Sequence, residues 1–335
     1  MPVYNARAYV AEALQSVLDQ TYRNIELLVI DDGSTDDTRA VVQRFHDPRV
    51  AIAENPQNVG LVATLNKGLA LSRGEFIARM DADDISEPDR LAKQLNFLKS
   101  HPEVDIVGGA IQYFGDIKRP YTLIFPTEHE DIRVALLFYC PLAHPALMFR
   151  RSLVQRNLLR YSDEFRHAED YYLWSELLQH VRAANLADVL LRYRLHPKQV
   201  RSEHSTPQYE VSVKVRKLLL RRAGVDWTDA DIELHESIVS GRFGANASYI
   251  NRVGSWFDKI EQSNRVSRFW EPQALHRLLV GKFVEVAHRL GLGRPAASLS
   301  ELALQYLRNA NYRPERTTRR LYRRAKSLVR QALSR

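Results

Sequence analysis

Phe76-Ile-Ala-Arg-Met-Asp-Ala-Asp-Asp84 (FIARMDADD) decides how the first half of the chain is read. Phe76 to Met80 is a short, mostly apolar run, as expected of a strand inside a parallel sheet. It ends directly on three acids, Asp81, Asp83 and Asp84. Clustered carboxylates at a strand end form half of a site for a hard divalent cation. Mg²⁺ takes one or two protein carboxylates and completes its shell with phosphates and water. A solvated acidic turn that caps the next helix, with Pro88 in its first turn, explains the same residues nearly as well. The surrounding pattern has to decide.

Working outward, Ala6 to Gln20 reads as an amphipathic helix and Ile25 to Ile30 as a buried strand. Asp36 or Asp37 is placed to cap a helix through Phe45. Arg49 to Ala53 is a second strand and Val59 to Leu71 a helix, with Gly74 where a C-cap glycine belongs. Strands alternating with helices predict an α/β fold with a parallel sheet covered on both faces. Such sheets bind ligands beyond the carboxyl ends of their strands. Asp31 and Asp32 follow the first of these strands and Asp81 to Asp84 the third, so two acidic ends converge. In DDGSTDD (31–37), Gly33 makes the turn and Ser34, Thr35 or Asp36 caps the helix. An Asp just after a buried strand can also accept a hydrogen bond from a base N–H or a ribose hydroxyl.

Val104 to Phe125 reads as extended segments broken by Gly108, Gly109 and Gly115, and Ala146 to Phe149 as another. Ala168 to His180 reads as a helix and Ala183 to Tyr193 as extended. Helical patterns alone follow Ser205, so a division is expected at residue 204. It separates an α/β domain (1–204) from a helical region (205–335) with a basic amphipathic tail (313–335). HAEDYYLW (167–174) puts Glu169 and Asp170 at a helix start, where acids complement the dipole. Shielded by Tyr171, Tyr172 and Trp174, an Asp there can have its pKa raised toward the work of a general base. His144 and His196 each precede a proline. Lone histidines are usually structural; the alternative makes His196 a metal ligand or a donor to phosphates.

Cys140 is the one cysteine, so no internal disulfide forms, which fits a reducing compartment. No run approaches the roughly 20 apolar residues of a membrane span, and no signal-peptide pattern opens the chain. These features predict a cytoplasmic protein, peripheral at the inner face of the membrane. The formal net charge is +8. Residues 313 to 335 hold nine Lys or Arg against Glu315 alone, an excess of eight that equals the charge of the whole chain. Leu321, Ala325, Leu328 and Ala332 share a helical face there, suited to packing on the protein or to an anionic membrane surface. No nucleic-acid motif accompanies the charge, and no nucleic-acid partner is expected.

MPVYNARAYVAEALQSVLDQTYRNIELLVIDDGSTDDT (1–38) resembles the opening of a family 2 glycosyltransferase with the GT-A fold, of the type that builds bacterial cell-surface polysaccharides. NVGLVATLNKGLALSRGEFIARMDADDISEPDR (58–90) is similar to that family's central stretch, and AEDYYLW (168–174) to its downstream motif. The likeness covers residues 1 to 200. It implies a nucleotide-sugar donor, a UDP-sugar foremost, with Mg²⁺ or Mn²⁺ and a glycan or lipid-linked acceptor. The sugar would move by single displacement with inversion. By position, Pro2, Val3 and Tyr4 would border the nucleobase, which Asp32 with Asp31 would bind. Asp81 would approach the ribose. Asp83, helped by Asp84, would hold the metal, and His196 would reach the metal or diphosphate. Asp170 would be the base, with Glu169 beside it, and His144 and Trp174 would lie toward the acceptor. Family members carry a short apolar strand ahead of this opening, so the first strand is expected to be missing here. A nucleotidyltransferase would need a basic glycine-rich loop where MPVYNARAYV stands. A nucleotide-sugar binder or assembly partner without transfer activity would need no base.

Overall fold

A computed structural model describes residues 1–197, 199, 205–244 and 247–290. The basic tail lies outside them. The chain divides into two units, one of Met1–Ile132 with Cys140–Val215, the other of Arg133–Tyr139 with the chain from Arg216 onward.

The first unit opens with β1 (Pro2–Val3), α1 (Val10–Leu18), β2 (Leu27–Asp31), α2 (Thr38–Gln43), β3 (Val50–Glu54), α3 (Leu61–Leu71) and β4 (Phe76–Ala78). β5 (Ile85–Ser86), α4 (Arg90–Ser100), β6 (Ile106–Gly115) and β7 (Tyr121–Leu123) follow, and α5 (His129–Ala135) crosses between the units. β8 (Met148–Arg150), α6 (Ser152–Gln155), α7 (Glu169–Leu177), β9 (Ala183–Leu195) and the start of α8 (Ser205–Arg222) complete it. Apolar residues recur at helical spacing in α1, and Val10, Leu14 and Leu18 pack on Leu27 and Val29 of β2. Each such side chain contributes on the order of 1.5–3 kcal/mol when fully buried. On α4, Leu91, Leu95 and Leu98 pack with Val107 and Met148.

The expected single parallel sheet is corrected. Three parallel strands run in the order β1-β2-β3. A separate mixed sheet runs β4-β8-β6-β9-β5, with β7 on β6. β8 and β5 are short strands that meet their neighbours antiparallel, whereas β6 and β9 run parallel. A two-residue strand opens the parallel sheet: Pro2 pairs with Ile30 and Val3 with Asp31. Gly74 is not the cap of α3. The helix stops at Leu71 and Ser72 turns extended at ψ 134°.

In the second unit, α9 (Asp229–Ser240), α10 (Ala247–Ser267) and α11 (Pro272–Arg289) follow the rest of α8. Thr228 and Asp231 form a reciprocal capping box at the start of α9, and Gly241 ends it at φ +70°. His235 donates from Nε2 to the Leu137 carbonyl (2.9 Å) and accepts from Trp256 Nε1 at Nδ1 (3.2 Å), a neutral tautomer set by its partners. Burial lowers its pKa to about 4. Within the second unit Arg216 forms a buried two-bond ion pair with Glu236 (2.7 and 2.5 Å).

Candidate active site at the end of β4

α4 positions the acidic loop. Arg90, fully buried, donates from Nη2 to the carbonyls of Arg79 (2.6 Å) and Leu147 (3.2 Å). Gln94 beside it donates to the Val107 and Ala146 carbonyls (2.9 and 2.8 Å). The two side chains tie the end of β4 to β6 and the start of β8. Beyond β4, carboxylate oxygens of Asp81, Asp83 and Asp84 all lie within 4.8 Å of one another.

Each acid has its own support. Asp81 accepts from Arg79 Nη1 at 2.5 Å. Asp83 Oδ2 meets His196 Nε2 at 2.9 Å. Asp84 Oδ1 accepts the Arg194 backbone N–H at 2.9 Å, while its Oδ2 is buried without a partner. Burial, then the charges of Asp81 and Asp83, hold the Asp84 carboxyl well above its usual range. Burial also raises Asp81, against the pull of Arg79. An orphaned buried carboxylate oxygen beside two more carboxylates is costly unless a cation satisfies it. The donor set fits a hard divalent ion. β9 brings His196 here because it pairs with β5, immediately after the acids. Arg194 locks the junction: it donates to the Asp83 carbonyl (2.8 Å), pairs with Glu12 and lies over the rings of Tyr9 and Phe114.

Asp83, Asp84 and His196 are thus brought together, and Asp81 joins the same cluster. Val3 is buried in β1 and Tyr4 is exposed. Asp31 and Asp32 are buried. Asp32 accepts from Asn55 Nδ2 (2.8 Å) and from the backbone N–H groups of Val59 (3.0 Å) and Gly60 (2.9 Å). Both its oxygens therefore anchor the 55–60 loop. Asp31 Oδ1 accepts from the Ser34 hydroxyl at 2.5 Å and its N–H at 3.2 Å. Gly33 between them holds φ +69°, and a Cβ there would stand 2.4 Å from the Gln57 carbonyl carbon.

Glu169 and Asp170 open α7. Burial, then the neighbouring Asp170 charge, raises Glu169 to about 7. Burial raises Asp170, with the Tyr171 N–H (2.7 Å to Oδ1) and Arg79 acting against it. His144 Nε2 bonds the Tyr161 hydroxyl at 2.7 Å. Burial, reinforced by Arg79, keeps His144 neutral by moving its pKa well below its usual value. Trp174 is fully buried and edge-on to His144, with ring centroids 6.2 Å apart.

Sequence reasoning missed Arg79, Arg194 and Tyr161. Arg79 is the cation whose charge acts on Asp81, Asp84, Glu169 and Asp170 alike. Its signal was visible as a base two positions before Asp81 in an otherwise acidic and apolar stretch.

A GT-A-like α/β unit with a carboxylate cluster at a strand end is the class of protein this geometry defines. Residues 1–160 match Glycosyl transferase family 2. An uncharacterized glycosyltransferase of Haemophilus influenzae is 32% identical over 243 residues, 67% of this chain and 74% of the relative. WfaP of Escherichia coli, a UDP-Glc:alpha-D-GlcNAc-diphosphoundecaprenol beta-1,3-glucosyltransferase, is 27% identical over 257 residues, 76% of this chain and 95% of its own. The crystal structure of S. aureus TarS 1-349 with UDP-GlcNAc shares the fold, with a TM-score of 0.56 at 18% identity over 93% of this chain and 91% of that one. The chain belongs to glycosyltransferase family 2.

Proposed function

We propose that the chain moves a sugar from a UDP-sugar to an acceptor hydroxyl, with inversion, during assembly of a cell-surface glycan. One observation carries the reading: Asp84, buried with an unsatisfied oxygen, stands beside Asp81 and Asp83 at the end of β4. Asp83 and Asp84 would hold Mg²⁺ or Mn²⁺, with His196 steadying Asp83. When bound, the ion neutralises charge on the departing diphosphate.

The other roles fall to the chain's own groups. Asp170 takes the acceptor proton. Burial raises its pKa and so strengthens it as a base, while the Tyr171 N–H and Arg79 act against that rise. Glu169 beside it shares the proton load near neutral pH. Pro2, Val3 and Tyr4 border the nucleobase. Asp32 shapes that pocket by pinning the 55–60 loop, and Asp31 by bracing Ser34. Asp81 serves the ribose side, and His144, backed by Trp174, shapes the acceptor side. WfaP acts on a diphosphoundecaprenol-linked sugar; a lipid-linked glycan is accordingly the acceptor class proposed here. No described helix is long and apolar enough to cross a membrane. The basic tail at 313–335 would bring the enzyme to anionic lipid at the inner face.

The test is Asp170→Asn, assayed by calorimetry with UDP-sugars and Mn²⁺ and by transfer to a lipid-linked acceptor. Donor affinity should be unchanged while transfer falls by about 10²–10⁴-fold. Full transfer activity would remove Asp170 from its role. Donor binding that ignores the metal would remove the Asp83–Asp84 assignment.

A further inference from the structure

β6 and β7 form a hairpin that runs on past β8. β8 pairs with β6 at Ile106 and Val107, and β7 takes over at Ile111 to Tyr113. Among the described residues no strand pairs with the other side of β7. The root of the hairpin is fixed to β9. Asp116 N–H donates to the Leu195 carbonyl at 2.8 Å. Gly115 turns there at φ +96°, where a Cβ would stand 2.5 Å from the same carbonyl oxygen. Leu195 immediately precedes His196, so the hairpin leaves the sheet beside the acidic cluster.

Tyr121 and Leu123 of β7 stand across from Tyr113 and Ile111 of β6, so all four share one face. The inner pair is covered, at 7% and 3% exposure, by the cluster that includes Met80 and Ala146. The outer pair is not: Tyr121 is 52% and Leu123 38% exposed, and Ile124 after them is 47% exposed. Tyr121 rests against Tyr113, with ring centroids 4.8 Å apart, and Tyr113 meets Tyr193 edge-on at 5.2 Å. This row of tyrosines spans two strand spacings, about 10 Å. Its inner end is at the site, because burial, then the charges of Asp81, Asp84 and Asp83, raises the pKa of Tyr193. At the hairpin tip Lys118 and Arg119 are exposed, with Asp116 the one acid between 115 and 125. Neither base forms an ion pair among the described residues.

Cations near a strand edge also guard against edge-to-edge pairing. Such protection would not leave a ring and two aliphatic side chains open beside them. Aromatic, aliphatic and cationic groups on one exposed hairpin match a ligand that joins a diphosphate to a long apolar chain. A nucleoside diphosphate has no such chain, and a free phosphate needs no apolar wall. We propose that the β6–β7 hairpin binds the prenyl diphosphate end of a lipid-linked acceptor. Lys118 and Arg119 take the diphosphate oxygens. Leu123 and Ile124 take the first isoprene units, and the open ring of Tyr121 lies along the sugar attached to the diphosphate. The site presupposes the lipid-linked acceptor proposed above and supplies the surface that recognises it.

The probe is farnesyl diphosphate, a short prenyl diphosphate without a sugar. It is titrated calorimetrically into the full chain with EDTA present, so that no bound metal can hold it. The chain should bind it, and UDP should not displace it. Lys118→Gln with Arg119→Gln should weaken binding by about 10-fold or more, and so should Leu123→Ser with Ile124→Ser. Inorganic pyrophosphate should bind more weakly and respond to the first pair of substitutions only. Failure of the wild-type chain to bind farnesyl diphosphate, or equal binding by both variants, would overturn the proposal. Displacement by UDP would do the same, by placing the probe on the donor side. Loss of binding to anionic phospholipid vesicles in the variants, with farnesyl diphosphate unaffected, would give the hairpin to the bilayer instead. No sugar is transferred in any of these arms, so a negative result leaves the Asp170→Asn test of transfer standing.

Discussion

The Met1 amine offers a quantitative check on how the first strand is held. It donates to the Leu28 carbonyl at 2.8 Å, and burial, with Arg79 nearby, pushes its pKa from 8.0 down to about 5. Between these values the unfolded chain binds more protons than the folded one, so the amine's contribution makes stability rise with pH across that window. The penalty it imposes is about 3.5 kcal/mol at pH 5, about 1.4 kcal/mol at pH 7 and only a few tenths above pH 8, taking about 1.36 kcal/mol per pKa unit. The raw pH curve mixes this with groups of opposite sign. Glu169, raised to about 7, is protonated more readily when folded, so its contribution is present below its unfolded value and lost as pH rises through 7. Acetylating the Met1 amine isolates the first effect, because the acetyl amide keeps an N–H for Leu28 and no longer titrates. Urea unfolding of free and acetylated protein, followed by tryptophan fluorescence, should show the acetylated form more stable by about 3.5 kcal/mol at pH 5. The two curves should converge above pH 8. A gap that does not change with pH, or a free-amine form that is the more stable at pH 5, would refute the reasoning.

Two further outcomes follow from buried charge. Mn²⁺ at a hundred times its dissociation constant should stabilise the protein by about 2.7 kcal/mol in a thermal-shift assay, reversibly with chelator. Asp84→Asn should abolish that shift; a shift that survives would place the ion elsewhere. In the second unit, Arg216→Met leaves Glu236 buried without its two-bond partner and should cost about 3–5 kcal/mol in chemical denaturation. Adding Glu236→Leu should recover most of the loss, and a double variant as unstable as the single would show that packing, not charge, sets the cost.

What was legible in the sequence was local. The apolar spacing of α1 and the run ending in DADD depend on neighbours within a turn or a strand, and both are where the residues place them. Strand order was not legible. β5 is two residues long and β8 three, too short to carry a period, and their partners lie far along the chain. The same limit governs the site. Asp32 reads as a ligand group because it follows a buried strand, yet the N–H groups that engage it are backbone donors of Val59 and Gly60, which no side-chain pattern announces. Gly74 looked like a cap because it follows a helical pattern, but Ser72 had already turned the chain extended.

The acidic cluster shows why local reading finds a site but not its chemistry. Three acids in four residues are visible in any sequence; whether they hold a cation depends on what surrounds them. Here two of the three are spoken for within the chain, Asp81 by Arg79 and Asp83 by His196, and Asp84 alone keeps a buried oxygen unpaired. A capped acidic turn would expose its carboxylates to water and leave none stranded. Burial of Asp84 is therefore the feature that favours the proposed metal site over a helix cap, and the Arg194 backbone N–H from β9 engages only its Oδ1. Arg79 lowers the pKa of Asp81 and Asp170 alike, so one buried cation acts on both the acidic loop and the start of α7.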